Sequence, residues 1–251
     1  MRFPYRSSLL LASLCLLLPG ARASENHWSY QGDQGPAHWA GLGSPVCGTG
    51  QSQSPIDLDM HRLTPRPLHP DDLHIAYGKQ ALQVINNGHT IQASPAGDEG
   101  LTYKGQAYSL AQFHFHTPSE HLIDHHHYPL EMHLVNRAPD GHLLVLAAMI
   151  KRGRENPELA GLWNALPQSG ASETHLDAGQ APDLARLLPT GGHHLFYTGS
   201  LTTPPCSEGV QWVIFEQPLE MSTAQIGRFR QLFPDNHRPA QPLDGREVDE
   251  D

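Results

Sequence analysis

Three histidines in two short segments have the residue types and spacing for metal chemistry. In Gln112-Phe-His114-Phe-His116 the alternation sets Gln112, His114 and His116 on one face of a strand and both phenylalanines on the other. Two imidazoles on one strand face, roughly 6–7 Å apart at Cα, can converge on a single ion. In Leu130-Glu131-Met-His133 a carboxylate and an imidazole again share a face, and an antiparallel neighbour would bring His133 up as a third nitrogen donor. Three neutral nitrogens with a fourth position open suit a catalytic zinc rather than a closed structural one. Gln112 and Glu131, each two residues ahead of a candidate ligand, can bond the ring nitrogen that does not face the metal and so set its tautomer. A lone His-x-His is ordinarily a satisfied or exposed strand pair; the accompanying Glu-x-His is what argues for a site.

Positioning these groups requires a sheet. Period-2 or β-branched character predicts strands over 73–77, 82–86, 90–93, 108–116, 130–136, 143–151, 194–198 and 211–215. Turn clusters such as Asn87-Gly88, Pro95-Ala-Gly97 and Ala138-Pro-Asp-Gly141 separate them. Helical character is confined to 158–165, 181–188 and 223–233, the last with Ser222 as its N-cap. With 23 Gly, 22 Pro and neither repeats nor a Ser/Gly linker, the chain reads as one mainly β (α+β) domain on a large, mostly antiparallel sheet.

The 251 residues carry 16 Lys+Arg against 26 Asp+Glu, which makes a nucleic-acid backbone or an anionic membrane surface an unsuitable partner. Histidine, at 18, is several-fold above ordinary usage. The N-terminus runs from basic Arg2 and Arg6 through an apolar stretch, Leu9 to Leu18, to the small-residue site Ala21-Arg22-Ala23, the pattern of a secretory signal peptide over residues 1–23. Its apolar stretch is too short to span hydrocarbon, which takes about 20 residues. Cleavage leaves a mature domain over 24–251 with no integral membrane segment and removes Cys15. Cys47 and Cys206 are then a pair in an oxidising compartment, where a structural disulfide is expected and two free thiols are the alternative. An exported protein follows, periplasmic or, alternatively, secreted; the acidic C-terminus and the lack of an Asn-x-Ser/Thr site fit a Gram-negative periplasm.

The run Gln112-Phe-His-Phe-His116 with Ser119-Glu-His121 and Glu131-Met-His133 resembles the α-class carbonic anhydrases. The likeness extends through His27-Trp-Ser-Tyr30, Gly35-Pro-Ala-His-Trp39, Gln53-Ser-Pro-Ile56, Asn86-Asn-Gly-His89, Gly199-Ser-Leu-Thr-Thr-Pro-Pro205 and Asn236-His-Arg-Pro-Ala-Gln-Pro242. It implies a ten-stranded twisted sheet with Zn2+ at the base of a conical cleft, and the reversible hydration of carbon dioxide to bicarbonate and a proton by zinc-bound hydroxide. The resemblance makes His114, His116 and His133 the metal ligands, with Gln112, Glu131 and the backbone carbonyl of Asn236 behind them. Thr202 and Glu120 would orient the hydroxide. Val135, Val145, Leu201 and Trp212 would wall an apolar recess for carbon dioxide, and Thr203 would contact bicarbonate. On sequence alone, ordinary core packing is the better account of those four apolar residues. His89 matches the proton shuttle, and Tyr30, Asn87 and Gln92 would order the intervening waters; His121 matches a buried structural histidine.

His125-His-His127 and His193-His194 fall outside this assignment. The first lies in a surface hairpin away from the cleft and reads mainly as a solvated turn, with zinc capture or proton buffering as the alternative; the second is read the same way. Two other functions compete with the enzyme: an exported zinc-binding or storage protein, and an inactive carbonic-anhydrase-like binding module. The first needs no Thr202/Glu120 relay, and the second should have lost a ligand or that relay. Monomer and homodimer both stay open.

Overall fold

Phe113 and Phe115 are fully buried, while the intervening His114 faces the opposite side of the same strand. That alternation divides the interior. On the phenylalanine side a large apolar core gathers Leu130, Met132, Leu134, Leu146 and Val213 beneath Trp163 and Phe229. The Phe115 ring meets Trp163 edge-on at 4.9 Å. Full burial of each such side chain contributes about 1.5–3 kcal/mol. On the histidine side a smaller cluster holds Ile56, Leu58, Val145, Ala147, Met149, Tyr197, Trp212 and Ile214.

The computed structural model describes residues 27–69 and 72–251; the expected signal peptide lies outside them. Among the described residues the central sheet, the large sheet that was expected, has twelve strands, two of them at one edge only two residues long. Ser172–Leu176, Leu82–Asn86, Ile91–Pro95, Gln106–His116, Leu130–Arg137, Leu143–Arg152, Glu208–Met221, His194–Ser200, Asp249–Glu250 and Thr64–Pro65 lie side by side in that sequence. Gly100–Tyr103 adds to the edge, pairing with both Leu73–Ala76 and Gln106–His116. All eight strands predicted from periodicity are present. The strands it missed are polar or broken in pattern: Ser172–Leu176 is an edge strand with a single buried residue, and Gly100–Tyr103 begins at a glycine. There a Cβ would sit 2.1 Å from the Tyr108 carbonyl oxygen, so close backbone approach demands glycine. Most pairings are antiparallel, but the long Leu143–Arg152 and Glu208–Met221 strands run parallel, which makes the sheet mixed.

The three helical predictions hold as shorter helices, Ala160–Asn164, Leu184–Leu187 and Thr223–Leu232. Ser222 caps the last through a reciprocal capping box: its hydroxyl accepts from the Gln225 N–H, and the Gln225 side chain accepts from the Ser222 N–H. Cys47 and Cys206 form the expected disulfide, which joins the N-terminal segment to the loop carrying Thr202.

Candidate metal centre

Strand register makes the first contact. His114 lies directly opposite His133 across the antiparallel ladder, and Glu131 lies opposite His116. The rings of His114, His116 and His133 sit with centroids 5.0, 5.3 and 4.7 Å apart, and one nitrogen of each falls within 4.8 Å of the others. In every case the other nitrogen is anchored. Nδ1 of His114 bonds Gln112 Oε1, Nδ1 of His116 bonds the Asn236 carbonyl, and Nε2 of His133 bonds Glu131 Oε1, all at 2.7 Å. All three anchors are acceptors, so each ring carries its proton there and turns a lone pair inward: Nε2 from His114 and His116, Nδ1 from His133.

Nε2 of His116 is buried without a hydrogen-bond partner, and so is Oε2 of Glu120, 3.5 Å away. Buried polar atoms are ordinarily satisfied. An inward lone pair facing a carboxylate oxygen lacks a proton or a cation between them, and three converging imidazole nitrogens are the donor set of zinc. The residues therefore fit a zinc ion.

Electrostatics keep these three histidines neutral. Burial, and then the neighbouring imidazoles, push His114 well below its ordinary range and His116 down to about 3. Burial likewise lowers His133, against the pull of Glu131. Burial alone would raise Glu131, but His121 and His133 outweigh it and hold the carboxylate well below its usual range. Glu131 is thus the anion and the imidazoles are neutral, as metal ligation requires. Glu120 is pushed well above the usual carboxylate range by burial, while the Thr202 hydroxyl and the Arg238 N–H pull it back toward the anion.

Among the described residues a second grouping, His121, Glu131 and His133, also brings ligand-type atoms together. Its short contacts are hydrogen bonds. Glu131 Oε1 takes one from His121 Nδ1 and one from His133 Nε2, both at 2.7 Å, and Oε2 accepts the N–H groups of Glu120 and His121 at 2.8 and 2.9 Å. One carboxylate thereby orients a ligand candidate and fixes the backbone that carries Glu120.

The remaining sequence-predicted residues divide by element. Val135, Val145, Leu201 and Trp212 gather in the smaller apolar cluster on the histidine face, with the Trp212 ring 4.9 Å from that of His133. Thr202 is buried and Thr203 partly so, on a loop closed by Leu201 N–H to Ser207 O at 3.0 Å and Cys206 N–H to Thr203 O at 2.9 Å. Gln92 lies opposite His114 in the ladder and shares its face. His89 follows Gly88, whose φ of +86° needs glycine, and stacks flat on Trp28 at 3.7 Å. Burial, and then His27, lower its pKa. Tyr30 lies near enough to Glu120 for that carboxylate to add to the rise that burial imposes on its phenol. The side-chain oxygen of Asn87 accepts the N–H groups of His89 and Thr90, both at 2.9 Å, so the turn uses that acceptor and leaves the amide NH2.

Sequence reasoning foresaw the Asn236 carbonyl but not its side chain. The Asn236 amide donates to the carbonyls of His89 at 2.9 Å and Phe115 at 3.0 Å, and its oxygen accepts the Thr117 N–H at 2.7 Å, tying the His89 turn to the ligand strand. Also unforeseen is a chain from His121 Nε2 through Tyr197 Oη (2.7 Å) to Ser54 Oγ (2.8 Å), which accepts the Ser200 N–H at the start of the Thr202 loop. Arg238, 1% exposed, donates to Gln53, Ser54 and Cys47 oxygens while its N–H holds Glu120. Polar residues inside otherwise recognisable motifs were the only signal for these roles.

Residues 34–251 match the family described as eukaryotic-type carbonic anhydrase. A curated carbonic anhydrase from a Nostoc species is 41% identical over 240 residues, covering 94% of this chain and 90% of its own length. One from Pectobacterium atrosepticum is 39% identical over 251 residues, covering 96% of each. A solved α-carbonic anhydrase from Thermovibrio ammonificans, in complex with the inhibitor sulfanilamide, superposes with a TM-score of 0.84 at 42% identity, over 88% of this chain and 98% of that one. The chain belongs to the α-class, or eukaryotic-type, carbonic anhydrases. It is an enzyme of that class, and the large mixed sheet with few short helices is the class fold.

Proposed function

We propose that this enzyme hydrates carbon dioxide reversibly to bicarbonate and a proton, using zinc held by Nε2 of His114, Nε2 of His116 and Nδ1 of His133. The buried, unpartnered His116 Nε2 within a tripod of anchored imidazoles carries this reading. When bound, zinc with three neutral ligands would acidify a water toward neutrality, a behaviour for which carbonic anhydrase is itself the reference case.

The protein's part is positioning and proton handling. Thr202, with its hydroxyl toward the Glu120 carboxylate, can only accept from the reacting oxygen, so that oxygen's remaining lone pair is aimed at the substrate carbon. Carbon dioxide has no dipole and takes the apolar wall of Val135, Val145, Leu201 and Trp212, while Thr203 contacts the product. The released proton travels by waters near Tyr30 and Gln92 to His89, with the Asn87 amide as the only part of that side chain free to assist. The anchored tripod together with Thr202 and Glu120 favours the enzyme over a storage protein or an inactive binding module. We also propose residues 1–23 as a cleaved signal peptide and the periplasm as the site of action, on the support of the bacterial relatives and the disulfide.

Stopped-flow hydration with a pH indicator tests the activity. Acceleration that a zinc chelator abolishes and added zinc restores is expected; no acceleration by the zinc-loaded protein would reject the proposal.

A further inference from the structure

The His125–His127 hairpin lies against the back of the site rather than apart from it. His127 Nδ1 bonds the carbonyl of Ser119, the residue before Glu120, at 2.7 Å. Its ring meets that of His237, the residue after Asn236, with centroids 5.1 Å apart at 76°. His237 Nδ1 in turn bonds Asp235 Oδ1 at 2.6 Å. Both rings thus donate Nδ1–H to an oxygen acceptor and present Nε2 as a free lone pair, and neither Nε2 has a protein partner among the described residues.

This arrangement repeats the metal centre in pairwise form. The catalytic candidates His114 and His116 stand 5.0 Å apart at 73°, each with its Nδ1 anchored on an oxygen. A carboxylate or a backbone carbonyl behind each imidazole is the usual support of a metal ligand, because it fixes the tautomer and raises the basicity of the outward nitrogen. His237 is mostly shielded, with 19% of its side chain exposed, whereas His127 is open to solvent, so an ion can enter from the surface. Among the described residues the neighbouring histidines have no second ring beside them: the His125 ring is bound to Asp57 and the His126 ring to the Asp124 carbonyl.

We infer that His127 and His237 form a second, surface metal site that takes a divalent transition cation through two Nε2 atoms, with solvent completing the shell. Imidazole nitrogen selects copper, nickel or zinc over calcium or magnesium, and copper binds such sites most tightly. An ion there would bridge the 119–128 hairpin, which carries Glu120, to the 235–238 segment, whose Asn236 carbonyl orients His116.

The test uses the zinc-loaded protein with copper(II) as the probe. Metal content after gel filtration, together with electron paramagnetic resonance, should show a copper equivalent with two nitrogen ligands while the catalytic zinc is retained. His127→Ala and His237→Ala should each remove that equivalent, and His126→Ala should leave it. Asp235→Asn, which keeps both imidazoles, should weaken copper binding by about 10- to 100-fold, the usual effect of losing such a support. Retention of the equivalent in both alanine variants, or its equal loss in His126→Ala, would overturn the assignment. Full zinc content and unchanged far-ultraviolet circular dichroism in each variant exclude misfolding as the cause of a loss.

Discussion

His116 and His89 are both bonded to Asn236 and are held by opposite means. His116 projects from the middle of a long strand, 1% exposed, with its ring fixed by the Asn236 carbonyl and its neighbours set by ladder register. His89 stands on a glycine turn, half-buried, with its ring resting on Trp28 and its backbone bound to the side chains of Asn87 and Asn236. Burial lowers the pKa of both, and takes that of His116 down to about 3. A ligand must never take a proton in the working range, whereas a shuttle must take and release one every turnover. The strand and its buried anchors suit the proposed ligand, and the open turn suits the proposed shuttle.

The contrast breaks most severely at the tripod. His133→Ala removes one of three nitrogens and should reduce hydration to the level of chelator-treated protein, with zinc content falling in parallel by elemental analysis. Thr202→Ala should keep its zinc yet lose about 10²-fold in kcat/KM, since misorientation alone is expected to cost that much. Zinc loss in this variant would instead mark the loop as part of the metal site's support. Glu131→Gln should weaken zinc binding by about 10- to 100-fold in competition with a chelating dye, because it disturbs the acceptor shared by His121 and His133. His89→Ala should lower turnover by about tenfold in weak buffer, less than the usual 10² of a positioned acid–base group because solvent buffer substitutes. Added imidazole should restore it; an unchanged rate at low buffer would refute the shuttle.

The pH response of the metal-free protein separates the two histidines more finely. His116 is lowered from its ordinary 6.5 to about 3, so between those values the unfolded chain binds a proton that the folded chain refuses. The stability that His116 contributes is complete above 6.5 and is lost as pH falls toward 3. Denaturant midpoints of chelated protein should therefore fall between pH 7 and pH 4.5, and His116→Gln should flatten that slope more than His89→Gln does. Equal slopes in the two variants would contradict the difference in burial.

Much of this was legible in the chain because its signals are periodic. The alternation around Phe113 and Phe115 gave the strand, its two faces and the pairing of His114 with Gln112, and Ser222 as an N-cap gave the start of the last helix. The Ser172–Leu176 edge strand was not legible, because a strand exposed along most of its length has no apolar alternation. The second contact of Asn87 was hidden for a related reason: an asparagine before a turn glycine is as readily a backbone cap as a water ligand, and only the folded turn brings its oxygen to the His89 and Thr90 amides.

The sequence by itself determined which groups share a strand face, which types could ligate zinc and which cysteines could pair, since each follows from local periodicity or side-chain chemistry. Tertiary structure decided which distant groups stand behind them: the Asn236 side chain between the His89 turn and the ligand strand, the Tyr197–Ser54 link to the Thr202 loop, Arg238 beneath Glu120, and His237 against His127. Those contacts join residues with no fixed spacing along the chain. They arise only when the twist of the sheet and the closure of its loops bring separate segments within hydrogen-bond reach.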